Sequence, residues 1–163
     1  MAATLRWLGL LLGLALAACA SQAPTFDQAE PTLLRPPGTA RIIVYRDFEP
    51  YQSLSWDPVL FNGAAVGAVG PGHVIVRDVP PGTYSLEAKS DGLWPNQVKT
   101  VTVAPGQTVY AKITSFKGLN PAISNTDAVL TTFVLDLIDP VIARREVGQL
   151  WYTATAHRRA VLV

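Results

Sequence analysis

A single cysteine, two histidines and one methionine in 163 residues leave little material for disulfide, metal or redox chemistry. Because Cys19 has no second cysteine to pair with, an intrachain disulfide is excluded, and the fold must rest on apolar burial. His73 and His157 stand far apart and neither has a further ligand at metal spacing, so no metal site and no cofactor are expected. Charge is also sparse: 13 Lys plus Arg face 12 Asp plus Glu, without the basic stripe of a nucleic-acid binder. Catalysis needs a nucleophile with a base, or paired carboxylates within reach of one another. Asp136 and Asp139 are three apart, but Asp139 precedes a proline and reads as a helix cap. No catalytic residue is predicted, and the chain is read as a non-enzyme.

Apolar runs are short as well. The longest, Leu8 to Ala18, counts eleven apolar or glycine residues, against about 20 for a bilayer-spanning helix. Arg6 precedes it and small residues end it, as in an exported signal. Its close, Leu16-Ala17-Ala18-Cys19, resembles the lipobox of bacterial lipoproteins. That resemblance implies cleavage between Ala18 and Cys19 and a diacylglycerol on the Cys19 sulfur, which would then be no nucleophile. An ordinary secretory signal leaving a free thiol, or an uncut anchor, are the alternatives. Two or three acyl chains anchor stably where one is marginal. With Ala20 in place of aspartate, the same resemblance implies export to the periplasmic face of the outer membrane in a diderm cell. Removing Arg6 with the signal takes Lys plus Arg to 12, equal to Asp plus Glu.

The remainder divides into a Pro-rich stretch at 19–39, a domain at 40–152 and a tail at 153–163. Pro24, Pro31, Pro36 and Pro37, with no apolar period, predict a flexible tether reaching up to roughly 60 Å if fully extended. Beyond Thr39, turn signals at Asn62-Gly63, Gly70-Pro71-Gly72, Pro80-Pro81-Gly82, Asp91-Gly92 and Pro105-Gly106 punctuate short apolar runs, the pattern of an all-β antiparallel β-sandwich. Tyr84, Leu86 and Ala88 alternate with polar neighbours, as do Val109, Ala111 and Ile113, which predicts half-buried strands. Ile42 to Tyr45 is apolar on both faces, as a central strand would be. Further strands are expected at 58–61, 65–69, 73–79, 97–103 and 130–138. Asn62-Gly63 should close a tight hairpin. One short C-terminal helix should start at Asp139-Pro140, with Ala143, Val147 and Leu150 on one face. The tail from Tyr152 is a last strand or a loose end, and its apolar Ala160-Val161-Leu162-Val163 is costly to expose.

The series Val59-Leu60-Phe61-Asn62-Gly63, Val66-Gly67, Val79-Pro80-Pro81-Gly82-Thr83-Tyr84 and Ala104-Pro105-Gly106-Gln107-Thr108-Val109-Tyr110, following a lipobox, resembles a family of small bacterial lipoproteins of unassigned function. Its members carry a PEGA-like or carboxypeptidase-regulatory-like (transthyretin-like) sandwich. The likeness spans about residues 40–138 and implies that fold, with no active-site residues to carry over. Trp94-Pro95-Asn96 and the segment beyond Trp151 fall outside its pattern.

Binding is the function class left standing. Tyr51, Trp56 and Trp94 lie in polar, turn-rich stretches, where an exposed ring can recognise a sugar, a peptide or a protein; the competing reading makes them plugs over the sandwich ends. Arg144-Arg145 and Arg158-Arg159 could meet anionic headgroups, though a solvated helix face beside Glu146 explains the first pair as well. The expectation is a membrane-anchored envelope lipoprotein with a protein partner, and the alternative a carbohydrate- or peptidoglycan-binding module built on the three aromatics.

Overall fold

A computed structural model describes residues 23–48, 54–90, 98–119 and 129–154. The signal at 1–18, Cys19, Tyr51, Trp94, His157 and Arg158-Arg159 lie outside the described residues. Among the described residues nine strands form two sheets: β1 Ala40–Arg46, β2 Asp57–Phe61, β3 Ala64–Val69, β4 His73–Val79, β5 Gly82–Ala88, β6 Lys99–Val103, β7 Thr108–Leu119, β8 Val129–Ile138 and β9 Trp151–Tyr152. One sheet has the order β8-β7-β1-β4-β9 and the other β3-β2-β5-β6. The all-β sandwich expected from the turn spacing is the observed fold.

Local signals account for much of it. Asn62 and Gly63 take φ values of 51° and 77° between β2 and β3, the left-handed pair a two-residue hairpin needs. Val66 is passed over where β2 and β3 slip register, and its carbonyl accepts a hydrogen bond from Arg77 Nε on β4 at 2.7 Å, so the bulge stitches the two sheets together. Tyr84 packs against the core and donates its hydroxyl to the Pro80 carbonyl at 2.7 Å, closing the Pro-Pro-Gly turn. Between the sheets, Ile42, Val44, Val59, Ile75, Leu86, Ala111, Ile113 and Leu135 are all but excluded from solvent.

Three expectations need correction. The five-stranded sheet is mixed, since β1 runs parallel to β7 and β4 parallel to β9, whereas the other sheet is antiparallel as expected. Nor is β7 half-buried: Tyr110, on the face read as solvated, is 1 % exposed because that face carries a second core. The third concerns the tether.

From Pro24 the chain is part of the domain. Phe26–Ala29 forms a helical turn, α1, and Glu30–Thr32 continues it as a 3-10 turn. The Thr25 N–H donates to Gln28 Oε1 at 3.0 Å, half of a capping box. Phe26 then joins Ile43, Tyr45, Val74, Val76 and Tyr110 in the second core, together with Ala143 and Val147 of α2, Pro140–Val147. Backbone bonds fasten the segment: Phe26 N–H to the Leu150 carbonyl at 2.8 Å, Asp27 N–H to Gly148 at 3.1 Å and Tyr152 N–H to Pro24 at 2.8 Å. Further along, Arg41 Nη2 donates to the Leu33 carbonyl at 2.8 Å while Arg41 and Asp78 form a two-point ion pair. Arg35 reaches the Gly106 carbonyl and Thr108. Prolines excluded a long regular helix here, but they did not exclude docking.

At the other terminus Asp139 caps α2 by accepting from the Val141 N–H at 2.8 Å, as expected. The helix stops at Val147, so Leu150 packs from beyond its end. Thr153 N–H donates to the Val74 carbonyl, continuing the line of β9 by one residue.

Candidate functional site

The β3–β4 turn, Gly70-Pro71-Gly72, gathers rings from three separate parts of the chain. Trp56, entering β2, lies so close to Gly70 that a Cβ there would stand 2.5 Å from its indole. His73 opens β4 with its ring centroid 4.4 Å from that of Trp56, the planes tilted by 57°. The His73 Nδ1 is 2.7 Å from the Pro71 carbonyl, which can only accept, so Nδ1 carries the proton and donates. Gly72, at φ 73°, is flanked by Phe48 and Trp151. These rings are open to solvent: Phe48 is 66 %, Trp56 49 % and Trp151 37 % exposed.

Beside them lies a cavity of about 590 Å³ walled by Pro24, Gln28, Thr32, Trp56, His73 and Tyr152. The docked segment and β9 thus make one wall, and the β2 and β4 starts the other. Its polar groups are an amide, hydroxyls and an imidazole, which donate and accept without carrying a fixed charge.

The strongly charged groups are engaged elsewhere. Arg46 is wholly buried; its Nη1 donates to the Ser55 carbonyl at 3.0 Å, Nη2 donates to Ser115 Oγ at 2.8 Å, and Asp57 lies at 3.6 Å. Its guanidinium also sits 5.2 Å from the Phe133 ring centroid. Burial pushes the Arg46 pKa down, and the Asp57 carboxylate pulls it back up. On the second core, the buried Tyr45 hydroxyl donates to Glu146 Oε2 at 2.6 Å, and Lys112 bridges Glu146 and Asp47. Burial, then the hydrogen bond to Glu146, raises the Tyr45 pKa. For Glu146, desolvation acts against ionisation, but the bonds from Tyr45 and Lys112 and the ammonium charge outweigh it and hold the carboxyl below its ordinary range. These contacts join β1, β7 and α2; none faces the cavity. Tyr110 Oη is buried under the same helix, beside the Arg144 guanidinium.

Of the three aromatics singled out from sequence, Trp56 stands at the rim, half-exposed, while Tyr51 and Trp94 lie outside the described residues. The structure adds Phe48, Trp151, Gln28 and Thr32. The capping-box spacing Thr25-x-x-Gln28 was a usable signal for Gln28; nothing local marks Thr32, or Phe48 and Trp151, which meet only through the turn at Gly72. Arg144 pairs with Glu30 at 3.0 Å and so ties α2 to the docked segment. Lys99 pairs with Asp136 at 3.1 Å. Among the described residues no three His, Cys, Asp or Glu side chains are placed to hold a metal, and no helix is long and apolar enough to cross a membrane. No family model, curated protein or solved structure matches the chain.

Proposed function

We propose that the protein is a non-enzymatic cell-envelope lipoprotein: a β-sandwich anchored through acyl chains on Cys19, at the periplasmic face of an outer membrane, that acts by contact with an envelope protein. The observation that carries this reading is the division of labour among side chains. The ionic groups Arg41, Arg46, Lys112 and Glu146 hold elements together, and the concave surface is left to aromatic, small apolar and neutral polar groups. Such a lining suits recognition. The resemblance to small lipoproteins with a PEGA-like sandwich points the same way.

Intact mass spectrometry of the detergent-extracted protein tests the anchor. A chain starting at Cys19 with two or three acyl groups, lost in Cys19→Ala, supports it; an unmodified chain refutes it. Crosslinking at native expression level tests the partner, and recovery of abundant bystanders alone would count against it.

A second reading, a glycan or peptidoglycan module, is favoured by Trp56 beside Gln28 and Thr32 at the cavity, an aromatic face with an amide and a hydroxyl near it. It predicts that Trp56→Ala abolishes retention on cell-wall material while the fold survives.

A further inference from the structure

The domain begins much closer to the acylation site than a 19–39 tether would allow. From Cys19 to Ala23, which lines the cavity, there are four peptide units, at most about 14 Å of extended chain. A domain of this size is roughly 35 Å across. A leash of this length keeps the end of the domain it leaves from within about 14 Å of the lipid surface.

The leash leaves the domain at its aromatic end. Ala23 and Pro24 line the same cavity as Trp56 and His73, and Thr25 forms a β-bridge with Trp151. The opposite end, where Arg41 pairs with Thr108 and Gly106 N–H meets the Thr39 carbonyl, lies one β1 length away, about 20 Å.

We propose that this aromatic end is a membrane-facing surface, with Phe48, Trp56 and Trp151 seated in the headgroup region of the leaflet that holds the Cys19 acyl chains. The proposal rests on the lipoprotein reading above. Tryptophan favours that depth because its ring is apolar and its N–H can still reach water or a headgroup. Among the described residues the acids beside the rings are paired, Asp47 with Lys112 and Asp57 with Arg46, which lowers the cost of bringing them near the lipid. The exposed rings and the anchor then act together, and a protein partner meets the cavity beside them close to the lipid surface.

The test uses the mature acylated protein in phosphatidylethanolamine–phosphatidylglycerol vesicles containing a spin-labelled lipid. With the Cys19 sulfur occupied, a new cysteine is the one reactive thiol. A fluorophore is placed by Phe48→Cys at the aromatic end or by Ala104→Cys at the other, both exposed positions. The Phe48 label should be quenched at least about threefold more than the Ala104 label, as seating ~5–10 Å into the headgroup boundary requires. Equal quenching, with the protein still floating with the vesicles, overturns the orientation and leaves the anchor standing. Failure to float, with no acyl mass, removes the lipoprotein reading and the proposal with it. A Phe48 label untouched by lipid but shielded by peptidoglycan fragments overturns the proposal in favour of the glycan module. The unsubstituted chain supplies an independent check: its tryptophan emission should shift to the blue and be quenched by brominated acyl chains, and unaltered emission refutes the proposal whatever the labelled variants do.

Discussion

Phe26→Ala separates a docked N-terminal segment from a tether more sharply than any other single change. The ring is 2 % exposed and shares the second core with Ile43, Tyr110 and Val147. In a rigid core, Phe→Ala costs about 3–5 kcal/mol, combining lost transfer energy with the cavity left behind. Here the segment is terminal and short, so it can instead release as a unit, and the loss is then capped at its docking free energy. That energy includes the burial of Phe26 and Ala29 and the three backbone bonds to Gly148, Leu150 and Tyr152. The expected loss is therefore about 2–4 kcal/mol. With a urea slope of about 1–3 kcal/mol/M, the midpoint should fall by roughly 1–2 M. Far-UV circular dichroism of the mature chain carrying Cys19→Ala would read it, with amide exchange at Phe26, Asp27 and Tyr152 as companion. A flexible tether predicts a change below about 0.5 kcal/mol. That result, with Phe26 and Asp27 exchanging as in an unfolded chain, would refute the docking argument.

Arg46→Ala removes a wholly buried guanidinium and leaves a void facing Asp57, so urea unfolding should show a loss of about 3–5 kcal/mol. Arg46→Met keeps the volume and should recover part of it; a methionine variant as damaged as the alanine one would show that charge matters here more than packing. Glu146 has its folded-state pKa depressed, so its contribution is present above the unfolded value and fades as pH falls through the folded one. The stability gap between wild type and Glu146→Gln should be full near neutrality and shrink below about pH 4.5, and a gap that widens toward acid would contradict the assigned contacts. Gly70→Ala places a methyl 2.5 Å from the Trp56 indole, so the ring must leave its seat beside His73. Near-UV circular dichroism should change, with a stability loss of about 1 kcal/mol; an unaltered spectrum would mean Trp56 does not rest there.

Within the described strands, the fold was readable where a few adjacent residues decide the backbone. Asn-Gly can adopt paired positive φ, Asp139-Pro140 can start a helix, and Leu86 and Ala88 point inward because strand side chains alternate. Local reading failed where the outcome depended on distant partners. Tyr110 looked solvated because its own strand alternates, but α1 and α2 cover that face. The mixed sheet was hidden for a similar reason: parallel pairing of β1 with β7 joins strands far apart in sequence, and no short motif encodes it.

The site divides along the same line. By itself the sequence determined the lone Cys19 and with it the absence of an intrachain disulfide, the turn-punctuated β pattern and the aromatic Trp56, because each is a property of residue type or short-range spacing. Only the tertiary structure decided that Pro24–Thr32 belongs to the domain, that Arg46 is buried, and that Phe48, Trp56, His73 and Trp151 share one turn. Those are meetings between segments that can lie more than a hundred residues apart, and what fixes them is which faces are left apolar once the sheets have closed.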